Sequence, residues 1–134
     1  MRAAVITGYG GPEVLRVMDV PEPVPGPGEV LVDVAASALN RADLLQRMGL
    51  YPGPQMEHEV PGLEFAGRVS AVGEGVSRWS GGDAVMGITG GAAHAERLVV
   101  PADQAVRVPV GTSLEVAGAL PEVFITAWDA LVLQ

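Results

Sequence analysis

The spacing of glycine and proline constrains this chain most. Eighteen Gly and eleven Pro are scattered through 134 residues without a repeat period, so every uninterrupted run is short. Those runs are filled with Val, 21 in all, against only six aromatic residues. β-Branched side chains favour strands, and Gly and Pro favour turns. The pattern predicts a mainly β fold of short strands, placed over Arg2–Thr7, Val14–Val20, Glu29–Ala36, Leu63–Val72, Ala84–Ile88, His94–Val100 and Ala105–Val108. In the third, Val30, Val32, Val34 and Ala36 share one face, with Leu31, Asp33 and Ala35 on the other. Pro21, Pro23, Pro25 and Pro27 remove four ladder donors in succession, so residues 21–28 read as an ordered surface loop. Pro52, Pro54 and Pro61 make Leu50–Gly62 a second irregular loop.

The apolar period changes in three places. Asn40 suits a helix N-cap, Asp43 would meet the helix dipole at N3, and Leu44, Leu45 and Met48 form a stripe ended by Gly49. Thr112-Ser113-Leu114-Glu115 matches a capping box. Pro121 fits the first position of a further helix. From Pro121 to Gln134 the only charges are Glu122 and Asp129, so this helix is apolar nearly all round and is expected to be buried on several sides. With no C-cap signal after it, the expectation is one domain over 1–120, with 121–134 opening an interdomain helix.

Charge excludes several function classes. All eight basic residues are Arg, and 16 acids give a net charge of −8. An acidic chain without a basic patch argues against nucleic acid and anionic membranes as partners. The absence of Cys removes disulfides, thiolate–zinc sites, iron–sulfur clusters and a thiol nucleophile, and fits a reducing compartment. No apolar run approaches the roughly 18 residues of a membrane span, and the first residues read as a strand rather than a signal peptide. A cytoplasmic protein is expected.

Candidate chemistry is sparse. His58, between Glu57 and Glu59, reads as part of a solvated acidic loop, and His94 as a plain strand or loop residue, so no metal site is expected. G-x-S-x-G, G-x-G-x-x-G and Walker patterns do not occur, and the glycines at 81–91 read as turns and bulges. Three polar residues in apolar or loop surroundings remain. The Asn40 amide could cap a helix or face a ligand. Tyr51 could line a site or pack its own loop. The Thr126 hydroxyl could serve a ligand or bond back to the preceding turn.

The string Val34-Ala35-Ala36-Ser37-Ala38-Leu39-Asn40-Arg41-Ala42-Asp43-Leu44 resembles the zinc-free quinone oxidoreductases of the medium-chain dehydrogenase/reductase superfamily, of the zeta-crystallin-like and tumour-suppressor-inducible types. Gly10-Gly11-Pro12-Glu13, Pro25-Gly26-Pro27-Gly28-Glu29-Val30, Gly62-Leu63-Glu64 with Gly67, Val72-Gly73, Gly82-Asp83, Leu120-Pro121-Glu122 and Thr126-Ala127-Trp128 extend the resemblance in order along the chain. Zinc-bearing superfamily members carry Cys where this sequence has Asn40 and His where it has Leu63. The resemblance implies a GroES-like β-barrel catalytic domain with short helices. In full-length members a Rossmann domain, absent from this sequence, follows and binds most of the NADPH. It implies metal-free hydride transfer from NADPH to a quinone, with Asn40 and Tyr51 catalytic and Asn40, Tyr51 and Thr126 against the cofactor, and a homodimer for the full-length form. Reduction of an activated carbon–carbon double bond needs the same hydride geometry, and a non-catalytic GroES-like interaction module is a third reading.

Overall fold

A computed structural model describes residues 1–51 and 57–134. Strand β1 (Arg2–Ile6) pairs antiparallel with β2 (Leu15–Asp19), the two joined through a 3-10 turn at Pro12–Val14. A five-stranded antiparallel sheet has the order β6-β3-β4-β5-β7, with β3 at Glu29–Ala36, β4 at Glu64–Val72, β5 at Ala84–Ile88, β6 at Arg97–Pro101 and β7 at Ala105–Arg107. The β3–β4 register shifts between Leu31 and Val32 and again between Val34 and Ala36. Such bulges add local twist, and the sheet curls into a GroES-like half-barrel. The small sheet is tied to it by an Ala3–Ala95 bridge, flanked by Ala4 N–H donating to His94 O at 2.9 Å and Glu96 N–H donating to Arg2 O at 3.0 Å.

The core gathers on one face of the large sheet. Val30 and Val32 from β3, Phe65 and Val69 from β4, Val85 from β5, and Leu98 and Val100 from β6 form one buried cluster. Alternation along each strand sends these residues to the same face. Trp79 closes the cluster, its indole N–H donating to Ala102 O at 2.8 Å.

All seven expected strands form, but the sixth starts at Arg97 rather than His94. The backbone N–H groups of Ala92, Ala93 and His94 donate to Val60, Gly62 and Pro61 carbonyls, so they serve the 60–62 segment, and only the His94 carbonyl is left to pair with β1. Helix α1 spans Arg41–Arg47 with Asn40 at its N-cap, as expected. The cap of α2 (Leu114–Ala117) is Ser113, one residue later than the capping box predicts: its Oγ accepts from Val116 N–H at 3.3 Å. The expected loop over Leu50–Gly62 lies partly outside the described residues, at 52–56.

Helix α3 (Pro121–Trp128) and the π-helical turn at Asp129–Leu133 form where a helix was expected. Of α3, only Pro121 is buried, and Phe124 and Trp128 are 66% and 61% exposed. Its apolar side chains stand exposed within this chain, where the sequence was expected to open an interdomain helix. Helix α3 meets the body against β4 and β5, with Pro121, Phe124 and Ile125 facing the cleft beside β5, and residues 123–134 are exposed.

Candidate active site

The N-terminus of α1 lies at the centre of a buried polar cluster. Asp43, 5% exposed, accepts from Asn40 N–H at 2.7 Å and from Gly62 N–H at 3.0 Å. Its Oδ2 lies 3.4 Å from His94 Nε2, and His94 Nδ1 lies 2.8 Å from Ser37 Oγ. Burial alone would raise the Asp43 pKa, but the contact with His94 and the N–H donors of Asn40 and Gly62 together outweigh it and hold the carboxyl below its ordinary value. The fold thus joins the end of β3, the start of α1, the 60–62 segment and the loop before β6 through one chain of polar contacts.

Ser37, His94 and Asp43 form a serine–histidine–aspartate series that no sequence motif announces. It is not arranged for acyl transfer. The hydroxyl meets Nδ1, and the buried Nε2 makes no well-aligned hydrogen bond to the accepting carboxylate. Its evident effect is to brace Gly62 and Asn40.

Asn40 points the other way from this brace. Its side-chain Nδ2 donates to Glu64 Oε1 at 2.8 Å. Glu64, 1% exposed at the start of β4, accepts with its second oxygen from Glu122 N–H at 3.0 Å, at the start of α3. Asn40 is thus the N-cap residue of α1, and its side-chain amide is engaged by Glu64 outside the helix. Thr126, one turn further along α3, is exposed, with its hydroxyl 3.5 Å from Glu122 Oε1 rather than bonded to a backbone carbonyl. Tyr51 is 41% exposed just beyond α1. Among the described residues, hydrogen bonds connect Asn40 to α3 through Glu64, and none brings Tyr51 to Asn40 or Thr126. An apolar cleft of about 850 Å³ opens between β5, β7 and α3, lined by Met86, Ile88, Val106, Leu120, Phe124 and Ile125.

Glu64 and Ser37 are members that residue-by-residue reading leaves out, and His94 is one that it takes for a plain strand or loop residue. Glu64 alone carried a local signal, a charge inside the buried run Pro61–Gly67. At the two positions where zinc-bearing superfamily members carry Cys and His, this chain places an amide held by a carboxylate and a buried aliphatic, Leu63. Neither is a thiolate or an imidazole.

Residues 26–110 match the family model of the alcohol dehydrogenase GroES-like domain. The chain belongs to that family. It is 41% identical over 133 residues to the synaptic vesicle membrane protein VAT-1 homolog of Rattus norvegicus, covering 98% of this chain and 33% of that protein. It is 42% identical over 113 residues to a quinone oxidoreductase of Pseudomonas aeruginosa, covering 84% of this chain and 34% of that protein. The crystal structure of Escherichia coli quinone oxidoreductase complexed with NADPH matches 98% of this GroES-like domain and 40% of its own chain, with a TM-score of 0.91 and 32% identity. The domain spans about a third of the length of the relatives it matches.

Proposed function

We propose that this domain is the catalytic portion of a metal-free, NADPH-dependent quinone oxidoreductase, with residues 121–134 leading into its nucleotide-binding domain. One observation carries the reading: the Asn40 amide, half-buried at the α1 N-cap, is held by the buried carboxylate of Glu64. An oriented amide suits alignment of a nicotinamide carboxamide or a quinone oxygen, and the likeness to an NADPH-bound quinone oxidoreductase supports that use. The residues present fit the nicotinamide end of the cofactor. Asn40 offers amide hydrogens, Thr126 an exposed hydroxyl on α3, and Tyr51 an exposed ring and phenol.

Reduced nicotinamide supplies the hydride when bound. The domain's own contribution is placement and exclusion of water. In this reading Asn40 orients the reacting rings and Tyr51 covers one side of the site. A quinone that accepts a hydride needs one proton to become the hydroquinone, and the Tyr51 hydroxyl is the candidate donor.

The test is reduced-nicotinamide oxidation by the protein carrying these residues, with a benzoquinone and separately with an α,β-unsaturated thioester, each with and without a strong chelator. Quinone-dependent oxidation that survives the chelator is expected. Oxidation with the thioester alone would transfer the reading to an enoyl reductase. Activity lost with the chelator and restored by zinc would overturn the metal-free assignment.

A further inference from the structure

We infer that Glu64 is a positioning residue that sets the Asn40 amide relative to helix α3; the inference rests on the role proposed for Asn40. Three observations converge. Glu64 is buried between Leu63 and Phe65, where an ionised carboxylate is costly unless both oxygens find donors. It finds two, from segments far apart in sequence: Asn40 Nδ2 on Oε1 at 2.8 Å and Glu122 N–H on Oε2 at 3.0 Å. Helix α3 has no side-chain cap of its own, because Leu120 occupies its N-cap position. Glu64 supplies that missing acceptor, and its negative charge lies at the positive end of the α3 dipole.

The consequence is geometric. A side-chain amide can be flipped so that oxygen and nitrogen exchange places. A carboxylate only accepts, so Glu64 selects the orientation that turns nitrogen toward it. Glu64 takes one of the two amide hydrogens, and the nitrogen is left with a second to offer a bound carbonyl. The same carboxylate fixes the first turn of α3, so Asn40 and Thr126 are referred to one rigid point. Motion of α3 relative to β4 would disturb the Asn40 amide directly.

Glu64→Gln tests this. A glutamine keeps the shape but has only one accepting oxygen, so it cannot serve both donors. In the protein with quinone reductase activity, we expect kcat to fall roughly 10- to 100-fold, as displacement of an orienting group costs, with a smaller change in KM for the quinone. In an Asn40→Ala background the same substitution should cost nothing further in kcat, because the group it positions is gone. A purely structural Glu64 would lower kcat equally in both backgrounds, and that result overturns the inference. A second measurement needs no turnover. In the unsubstituted 134-residue chain, nitrogen NMR should show one Asn40 side-chain hydrogen protected from solvent exchange, and protection should weaken in Glu64→Gln, whose single accepting oxygen is contested by Glu122 N–H. A freely exchanging pair in the parent would overturn the link even if the variant fails to fold. Absence of quinone turnover in the parent would instead sink the functional reading and leave Glu64 to be judged on the NMR result.

Discussion

Gly62→Ala isolates the backbone crossing on which the polar cluster depends. Gly62 has φ +108°, a conformation that residues with a Cβ rarely adopt. A Cβ built there would stand 2.6 Å from His94 N, 2.9 Å from His94 Nδ1 and 3.0 Å from Ala93 C. Two of those atoms are backbone, held by hydrogen bonds from His94 N–H to Pro61 O and from Ala93 N–H to Gly62 O, so they cannot rotate aside. Backbone strain costs about 1–3 kcal/mol, and the forced displacement of a packed loop about 1–3 kcal/mol more. Moving Gly62 also loosens its N–H from Asp43. The expected loss is about 3–5 kcal/mol, against a total of about 5–15 for a domain. Thermal unfolding should show a drop in Tm of roughly 10–20 °C. Two controls separate the causes. Gly75 has φ +80° with nothing near a built Cβ, so Gly75→Ala should cost only the conformational strain, about 1–2 kcal/mol. Gly81 has neither constraint and Gly81→Ala should be nearly neutral. If Gly62→Ala loses no more than Gly75→Ala, the close approach to His94 is not a constraint on the fold.

Asp43 predicts an acid dependence of stability. Its folded pKa lies below the unfolded one, so its contribution is complete above the unfolded value and disappears as pH falls through the folded value. Urea midpoints measured from neutral pH downward should show this loss, and Asp43→Asn should remove it; an unchanged acid slope in the variant would assign the dependence elsewhere. Tyr51→Ala should leave Tm unchanged, because the side chain is 41% exposed, while lowering quinone turnover or raising KM in the active protein. Tyr51→Phe then isolates the hydroxyl, and parental kinetics in both variants would remove Tyr51 from the site. The exposed aromatic residues of α3 should drive association of the 134-residue chain, since each can cover about 150–250 Å². Light scattering should report a mass that rises with concentration and falls in a Phe124→Ser, Trp128→Ser double variant; a concentration-independent monomer would show that this surface is not adhesive.

The strands and the cap of α1 were legible because both are local. Alternation of Val30, Val32 and Val34 needs only the two-residue period of an extended chain. The Asn40–Asp43 pair needs only one helical turn, and the structure keeps both. The start of β6 and the fate of α3 were not local matters. His94 looked like a strand residue until the 60–62 segment claimed its N–H, and α3, whose composition calls for cover, stands with its apolar side chains exposed in this chain. The site shows the same division. Sequence could nominate Asn40, Tyr51 and Thr126, and the resemblance could suggest roles for them, but the groups that orient Asn40 come from elsewhere in the chain. Glu64 reaches it from β4 and at the same time caps a helix 58 positions further on, and His94 and Ser37 meet across 57 positions. Propensity and periodicity act over a few residues. Hydrogen bonds between distant segments exist only once the curled sheet has set the ends of β3, β4 and β6 beside α1, so the orientation of the Asn40 amide was decided by tertiary structure alone.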